Sequence, residues 1–420
     1  MKIAIVSPRF INEDMRGNEE VIRTLFQNIT SDSIVKVLAS DAIYINPLNS
    51  ILNKLLGQSS NSQSDKNSFI YDERVTYLKS NYLVSGLMSI SSHVLNRLLK
   101  LFSVSPYSSY LPDIIRVYGW GPYIGGLRRE LLKEKFDVLH TSTFPTTSAF
   151  LSYKYSKKYN IPFVFTPYYH YKIHDFNGSK VLSSMIKGSQ GVVACTELER
   201  NELLKLGAEP NQVHVIPLSF DSSLPLKYNL SKTKARETLG IPTNSFTVLI
   251  QPWSSKGGVT LLKAVSLLSR DFPHITLITI GNMDSSYRRA KTSLNSDKFR
   301  QIDLGWVSGK NKWEAFYASD VFGMLSENDA FGLSYLNSWA VGIPIVAAKY
   351  TSASEIIDDK SNGFLVDMED PKIIADTLIK LAVDIEMRES LGKRGLEKLR
   401  IKYSPKVMTD RYMRVFKAVI

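Results

Sequence analysis

The segment SENDAFGLSYLNSWAVGIPIVAAKYTSASEIIDD, Ser326–Asp359, decides how the fold of this chain is interpreted. An apolar run ends just before it, near Leu325, and a second apolar run, IPIVAA, lies inside it. Both runs have the length of buried strands, and the stretch SYLNSWAVG between them has the pattern of a helix. A strand, a helix and a further strand in this order form the repeating unit of a parallel sheet.

The same alternation extends through most of the chain. In the N-terminal half, strands are predicted at KIAIVS, SIVKVLAS, FDVLHTS, IPFVFTPYYH, GVVACT and VHVIPLSFD. In the C-terminal half, they are predicted at FTVLIQPW, ITLITIGN, RQIDLGWV, VFGMLSE and IPIVAA. Helical patterns connect most of these strands, so the sequence predicts an α/β protein with doubly wound, Rossmann-like parallel sheets.

The chain has 420 residues, which is more than one ordinary hydrophobic core contains. The alternation breaks at residues 222–230, where we expect the linker. Residues 1–224 are therefore assigned to an N-terminal domain and residues 225–400 to a C-terminal domain. The last segment, 401–420, is predicted to be a helix that packs back on the N-terminal domain. Residues 82–135 have a helical pattern, and Ile43–Ser68 is predicted to be a loop.

Composition limits the classes of partner. The net charge is +12, which suits an anionic partner such as a phosphorylated small molecule, an acidic membrane surface or nucleic acid. The chain has one cysteine, Cys195, which excludes a disulfide framework. We recognise neither a signal peptide nor a membrane-spanning run, so a cytoplasmic protein is expected.

Ligands of open α/β sheets bind beyond the carboxyl ends of the strands, which directs attention to the loop after Leu325. Gly332 lets a ligand approach the backbone, and Ser334 is predicted to be the N-cap of the following helix. The start of that helix suits a diphosphate. Asn337 and Asp329 can bind sugar hydroxyls. A capped helix with incidental polar residues explains this loop equally well.

Two segments, DAFGLSYLNSWAVGIPIVA and SEIIDDKSNGFLV, resemble the signature region of the family-4 retaining glycosyltransferases. The segments DVLHTS, VIPLSFD and KGG extend the resemblance over most of the chain. It implies the GT-B fold, in which two Rossmann-like domains face a central cleft. It also implies sugar transfer from a nucleotide-diphosphate donor, most simply a UDP- or GDP-sugar, with retained configuration. Neither a metal nor another cofactor is implied.

The resemblance assigns roles to residues of the C-terminal half. Asp329 and Asn337 occupy the positions of two family glutamates, of which the first contacts the transferred sugar and the second holds the ribose. Phe331, Gly332 and Leu333 lie between them and belong to the expected donor site. Aspartate keeps the charge of glutamate, whereas asparagine loses the charge assistance that strengthens a hydrogen bond.

Lys256 matches a family lysine that neutralises the leaving diphosphate. The arginine that usually precedes this lysine is absent, because Gln251, Pro252 and Trp253 occupy that region. An ordinary solvated lysine is the alternative interpretation of Lys256.

In the N-terminal half, Gly17 and Asn18 match a family glycine pair that covers the phosphates, and Glu20 matches a family acid. His170 ends the predicted strand IPFVFTPYYH and matches a family histidine near the reacting centre. His140 ends another predicted strand and is expected to support the site. A simple helix start and structural histidines explain the same residues.

The sequence thus predicts a glycosyltransferase with Lys256, Asp329 and His170 as catalytic residues and a glycan or lipid-linked acceptor. Basic residues in the helical region 94–135 favour a lipid-phosphate acceptor and peripheral contact with the cytoplasmic membrane face, although a solvated helix surface explains them too. The altered acids and the missing arginine favour a rival, a non-catalytic GT-B protein that binds a sugar nucleotide or supports a partner enzyme. Nucleic-acid binding rests on the net charge alone and is not expected.

Overall fold

The computed structural model describes most of the chain, and most of the residues that it leaves out lie between residues 42 and 109. The described residues are 1–10, 17–29, 32–41, 70, 72–81, 84, 87, 90–91, 94, 110–170, 178–270, 272–294 and 299–420. They form two compact units. Unit 1 comprises Met1–Pro217 together with Met408–Ile420, and unit 2 comprises Leu218–Val407.

Unit 1 contains a seven-stranded sheet with the order β3-β2-β1-β6-β7-β8-β9. Every neighbouring pair is parallel. A separate antiparallel pair joins β4 to β5. The strands of this unit are β1 (Lys2–Ser7), β2 (Ile34–Ser40), β3 (Val75–Leu78), β4 (Ser80–Asn81), β5 (Tyr123–Ile124), β6 (Val138–Ser142), β7 (Phe163–Thr166), β8 (Gly191–Ala194) and β9 (Val213–Val215).

Helices cover this sheet because they carry apolar faces that need burial against the strands. The helices of unit 1 whose bounds lie within the described residues are, in chain order, α1 (Gly17–Asn28), α2 (Tyr110–Tyr118), α3 (Leu127–Lys133), α4 (Thr147–Tyr159), α5 (Lys180–Gly188) and α6 (Glu197–Lys205). The strands β6, β7 and β8 are buried along their whole length, as expected for the centre of a parallel sheet covered on both faces.

Unit 2 contains a six-stranded sheet, all parallel, with the order β12-β11-β10-β13-β14-β15. The strands are β10 (Phe246–Ile250), β11 (Ile275–Thr279), β12 (Arg300–Asp303), β13 (Val321–Met324), β14 (Ile345–Ala348) and β15 (Gly363–Val366). Strand order reverses between β10 and β13, so the switch point, where doubly wound sheets open a crevice at their carboxyl edge, lies between these two strands.

The helices of unit 2 continue the numbering, and the last one extends into unit 1. They are α7 (Lys232–Leu239), α8 (Gly258–Leu268), α9 (Ser285–Ser293), α10 (Gly309–Ala318), α11 (Leu333–Ala340), α12 (Ala353–Ile356), α13 (Pro371–Val383), α14 (Ile385–Lys402) and α15 (Pro405–Ala418). Helix α8 packs on β13, α13 packs on α8 and β15, and residues of these elements and of β10 form one hydrophobic core.

Helix α15 packs on the sheet of unit 1 through its buried residues. The Tyr412 hydroxyl lies 3.0 Å from the Thr166 hydroxyl at the end of β7. The Tyr412 and Phe416 rings contact the His140 ring, with centroids 5.4 and 5.6 Å away. Gly191 in β8 leaves room for Val415, because a Cβ there would lie 3.1 Å from the valine methyl group.

The structure corrects several predicted elements. The helical pattern of residues 82–135 is interrupted, within its described part, by β5 between α2 and α3. The expected linker 222–230 contains a short 3-10 helix, Leu224–Tyr228, and α7 follows it, a helix that the sequence analysis did not identify. The predicted loop Ile43–Ser68 lies outside the described residues. Within the ranges given above, no helix combines the length and apolar composition needed to cross a membrane.

Candidate functional site

Two loops come together at the switch point of unit 2. One follows β10 and carries Lys256, and the other follows β13 and carries Asp329. The Lys256 ammonium forms an ion pair with the Asp329 carboxylate and lies 3.4 Å from the Ser326 hydroxyl. The Lys256 side chain is 21% exposed and that of Asp329 is 10% exposed. The structure thus places two of the predicted catalytic residues in direct contact and largely away from water.

Glycine brings the Lys256 loop close to β13. A 3-10 turn, Ser254–Lys256, ends at Gly257, whose φ of 69° is unfavourable for other residues. A Cβ at Gly257 would lie 2.4 Å from the Leu325 Cβ. Because that space stays open, the Leu325 N–H donates to the Lys256 carbonyl at 2.9 Å. The position of Lys256 is therefore fixed by its backbone as well as by its ion pair.

Gly332 begins the helix α11. Its φ is 98°, and a Cβ there would lie 2.6 Å from the Tyr335 ring. Gly332 is also the N-cap residue, so the predicted N-cap at Ser334 is wrong: Ser334 lies in the first turn of α11. Glycine has no side chain to accept from the first N–H groups of the helix, so these donors receive no side-chain cap, and the Tyr335 N–H donates instead to the Gly332 carbonyl at 3.0 Å. Such a helix start favours a bound anion.

Gln251 connects the two loops, a contact that the sequence analysis did not foresee. Its side-chain amide donates to the Ser334 hydroxyl at 3.1 Å. Gln251 precedes Lys256 in the region, Gln251–Trp253, where the family resemblance leads us to expect an arginine. No sequence signal pairs these residues, because they lie 83 positions apart.

Buried acceptors without partners line the same site. Among the described residues, the Asp329 Oδ2 and the Asn337 Oδ1 are buried and have no hydrogen-bond partner. Asn337 is only 6% exposed. An unpaired buried acceptor costs about 1–3 kcal/mol, so both atoms favour a ligand that donates hydroxyl groups. Burial, together with the nearby Asp329 charge, raises the pKa of Tyr335 well above its usual value.

The neighbouring predicted donor residues have different surroundings. The Phe331 side chain is 2% exposed and packs against the Tyr403 ring, with centroids 5.7 Å apart. Only the backbone of Phe331 is therefore available to a ligand. Leu333 is partly exposed in the first turn of α11.

In unit 1, Gly17 and Asn18 form the start of α1 rather than a separate loop. Glu20 is partly buried in the same first turn. A contact that the sequence analysis missed anchors this turn: Arg9, after β1, donates to both carboxylate oxygens of Glu19 at 2.8 and 2.7 Å. The turn therefore lies next to the carboxyl end of β1.

His140 and His170 lie at different places from those predicted. His140 lies inside β6 and is 1% exposed, and its Nε2 lies 3.0 Å from the Thr166 hydroxyl. Burial lowers the pKa of His140 to about 3. His140 is therefore a core residue and not the last residue of a strand. His170 follows β7 by four residues and is partly exposed.

The described residues contain no group of three His, Cys, Asp or Glu side chains arranged to hold a metal ion. Charged groups at the carboxyl edge of the unit 2 sheet include the Lys256–Asp329 pair and Asp284. The Asp284 carboxylate accepts from the Ser254 N–H at 2.6 Å and so fixes the turn that precedes Lys256.

Two family models match the chain. Residues 98–224 match the model described as Glycosyltransferase Family 4. Residues 232–398 match the model described as Glycosyl transferases group 1. The second range includes Lys256, Asp329 and Asn337. The two ranges together cover most of the chain and confirm the family resemblance noted in the sequence.

Curated relatives are glycosyltransferases. The D-inositol 3-phosphate glycosyltransferase of Xylanimonas cellulosilytica is 29% identical over 222 residues, which are 50% of this chain and 52% of that protein. The lipopolysaccharide core biosynthesis glycosyltransferase LpsE of Rhizobium meliloti is 30% identical over 161 residues, which are 38% of this chain and 46% of that protein. The chain therefore spans about half the length of the curated relatives it matches.

Solved structures share the fold over the whole chain. Sucrose-phosphate synthase from Thermosynechococcus elongatus has a TM-score of 0.70 at 14% identity, covering 100% of this chain and 98% of that one. Anabaena HepE in complex with UDP and glucose has a TM-score of 0.67 at 16% identity and covers 100% of both chains. These similarities confirm the predicted GT-B fold.

Proposed function

Because the chain belongs to the group 1 glycosyltransferases of family 4 and has the GT-B fold, we propose that it transfers a sugar from a nucleotide-diphosphate donor. The acceptor is a glycan or a lipid-linked molecule, and the configuration of the sugar is retained. Neither a metal nor another cofactor takes part in this proposal.

The contact between Lys256 and Asp329 carries the proposal. It places a cation, largely shielded from water, beside the start of α11 at the switch point of unit 2. A departing diphosphate develops negative charge, and a fixed cation together with helix N–H groups stabilises such charge strongly in a dry site. When the donor binds, its diphosphate would share Lys256 with Asp329.

The unpaired acceptors Asp329 Oδ2 and Asn337 Oδ1 suit the hydroxyl groups of the donor. We assign Asp329 to the transferred sugar and Asn337 to the ribose.

In the retaining mechanism that we favour, the acceptor hydroxyl attacks the anomeric carbon, and the leaving phosphate takes its proton. This step needs no nucleophile from the protein. HepE binds UDP and glucose, which makes UDP-glucose the first donor to test.

Basic residues of unit 1 favour an acceptor that carries phosphate. Arg129 and Lys133 are exposed on α3, and Arg128 donates to the Tyr159 hydroxyl at 2.7 Å. Other basic residues of the same predicted region, such as Arg97 and Lys100, lie outside the described residues. Co-sedimentation with anionic liposomes at low salt tests the proposed membrane contact. If the protein did not sediment with the liposomes at low salt, the result would contradict that contact.

The first experiment is a thermal-shift and hydrolysis screen with UDP-, GDP- and ADP-sugars. Lys256→Gln is the test variant, and Lys263→Gln is its matched control, because Lys263 is an exposed lysine on α8. We expect one donor to stabilise the protein and to be hydrolysed slowly. Both effects should disappear in Lys256→Gln and remain in Lys263→Gln.

A second function is favoured by one observation. Gln251 is neutral and is hydrogen-bonded to Ser334, so the site holds one cation fewer than the family pattern provides. A GT-B protein that binds a sugar nucleotide without reaction would show stabilisation by a donor but no transfer to any acceptor in a panel of glycans and lipid phosphates. Absence of any donor response would contradict both functions.

A further inference from the structure

A cavity of about 400 Å³ opens at the other edge of the unit 2 sheet, where the strands begin. Phe246, the first residue of β10, and Asp320, which directly precedes β13, both line it. Lys256 follows the carboxyl end of β10. A strand of five residues spans about 16 Å, so the whole length of β10 separates the cavity from the candidate donor site.

Three cations surround a single carboxylate in this cavity. Asp320 is buried and forms ion pairs with Arg236 at 2.7 Å, with Lys232 at 2.5 Å and with Arg388 at 3.6 Å. The Thr247 N–H also donates to the Asp320 carboxylate, at 2.7 Å. Three positive side chains and one carboxylate therefore leave an excess of positive charge in the cavity.

Arg236 is fully engaged in the fold. Its side chain donates to the carbonyls of Ala318 and Thr243 at 3.0 and 2.8 Å, in addition to Asp320. It is 8% exposed in its side chain and holds α7 against the start of β13. The charge of Arg236 thus balances that of Asp320 as part of the fold. The remaining positive charge is that of Lys232 and Arg388.

Lys232 and Arg388 have N–H groups that could still donate hydrogen bonds to a ligand. Lys232 is 46% exposed, and its ammonium group, which has three protons, makes one hydrogen bond to Asp320. The Arg388 Nη1 donates to the Leu381 carbonyl at 2.6 Å, whereas its Nη2 is 3.6 Å from Asp320, longer than a hydrogen bond. The Arg388 side chain is nevertheless only 12% exposed.

An apolar wall faces these cations. It consists of Phe246, Ala382 and Ile385, and the Arg388 guanidinium lies 5.7 Å from the Phe246 ring centroid. The polar residues Thr233 and Asn244 line the cavity as well. A cationic end, an apolar wall and neutral polar groups together suit a small organic molecule that carries a phosphate.

We propose that this cavity, the α7–α14 cavity, binds a small phosphorylated metabolite such as a sugar phosphate, with Lys232 and Arg388 holding the phosphate. The site is separate from the candidate donor site and does not depend on the proposed transferase activity. Ligand binding here would add a second, independent anion site to unit 2.

The test is calorimetric titration of the whole chain with glucose 6-phosphate and inorganic phosphate at fixed ionic strength, with glucose as the neutral control. The variants are Lys232→Gln, its matched control Lys234→Gln on the same helix, Arg388→Lys and Lys256→Gln. Asp320 keeps Arg236 and the Thr247 N–H in Lys232→Gln, so this variant should fold, which its melting temperature checks.

We expect glucose 6-phosphate to bind and Lys232→Gln to weaken its binding about tenfold, the effect of losing one charge-assisted hydrogen bond. Arg388→Lys should also weaken it, because lysine cannot bind phosphate through a planar fork. Lys234→Gln and Lys256→Gln should bind like the unaltered protein. Failure of the unaltered protein to bind either phosphate, or equal binding by Lys232→Gln, would overturn the proposal. Loss of binding in Lys256→Gln alone would assign the phosphate to the donor site instead.

Discussion

At the scale of single residues, Asn337 and Gln251 show how the candidate site differs from its family. From the family resemblance we expect a glutamate at Asn337 and an arginine in the region of Gln251, and both side chains are neutral. Asn337 is buried with an unpaired oxygen, and Gln251 is held by Ser334. The loss of a charged side chain at these two places could be predicted from the sequence, because both lie within motifs that resemble those of the family. The Gln251–Ser334 hydrogen bond was not, since it depends on how two distant loops pack.

Asn337→Glu introduces the acidic residue that the family resemblance leads us to expect. It distinguishes an effect on donor binding from an effect on the stability of the folded protein. We expect the ligand-free variant to be about 1–3 kcal/mol less stable in urea unfolding, because a buried carboxylate replaces a neutral amide. The thermal shift caused by the donor should increase, since a charged acceptor binds a ribose hydroxyl more strongly than a neutral one. An unchanged donor shift together with lower stability would place the ribose elsewhere.

Gly332→Ala tests the backbone at the start of α11. The added Cβ would meet the Tyr335 ring at 2.6 Å, and the φ of 98° disfavours alanine. We expect a loss of more than about 2 kcal/mol in the free energy of unfolding, measured in urea.

The matched control for that variant is Gly342→Ala. Gly342 also has a positive φ, 74°, but a Cβ there would contact nothing within 4 Å. Its cost should be limited to backbone strain of about 1 kcal/mol. Equal losses in the two variants would show that the Tyr335 contact has no energetic effect.

At the scale of elements, the strand-helix alternation was predictable because each buried strand is a short apolar run with its own signal. Elements without such a signal were missed. Helix α7 has the sequence KTKARETL and is mostly exposed, so its apolar pattern is weak. The N-cap of α11 was misplaced because serine is the commoner N-cap, whereas the tight approach to Tyr335 requires glycine.

Helix α15 offers a test of element packing. Tyr412→Phe removes the hydroxyl that contacts Thr166 and should reduce the free energy of unfolding by about 1 kcal/mol. Phe416→Ala removes a fully buried ring beside His140 and should cost about 3–5 kcal/mol. Chemical denaturation checks both values. If Phe416→Ala were as mild as Tyr412→Phe, α15 would not be part of the unit 1 core.

At the scale of the whole molecule, two parallel sheets and the family motif around Gly332 were predictable from sequence. The pairing of charges was not. Lys256 and Asp329 are 73 positions apart, and Lys232 and Asp320 are 88 apart, so only the folded chain brings them together. His140 shows a related limit, because the position of a histidine in a sequence does not reveal that helix α15 will bury it.

Burial of His140 predicts a dependence of stability on pH. Its pKa falls to about 3 in the folded protein, whereas an unfolded histidine has a pKa near 6.5. Between these values the unfolded chain binds the extra proton, so stability decreases as the pH is lowered from about 6.5 towards 3. The loss amounts to about 1.4 kcal/mol per pH unit in this window.

His140→Gln should remove this component, so that the change in unfolding free energy between pH 7 and pH 5 becomes about 2 kcal/mol smaller. His274→Gln is the control, because it replaces an exposed histidine and leaves the buried His140 in place. Parallel pH profiles for His140→Gln and the unaltered protein would exclude His140 as the source.

The division of the chain has a consequence for its biosynthesis. Unit 1 ends at Pro217 and receives its last segment, Met408–Ile420, only after all of unit 2 has been translated. A nascent chain must therefore carry an unfinished N-terminal unit, with the surface around Thr166 and Gly191 still uncovered, while some 190 further residues leave the ribosome. We expect the need for chaperones to be highest in that interval. A gene fragment encoding residues 1–217 should yield soluble protein only when the codons for 408–420 are fused behind Pro217.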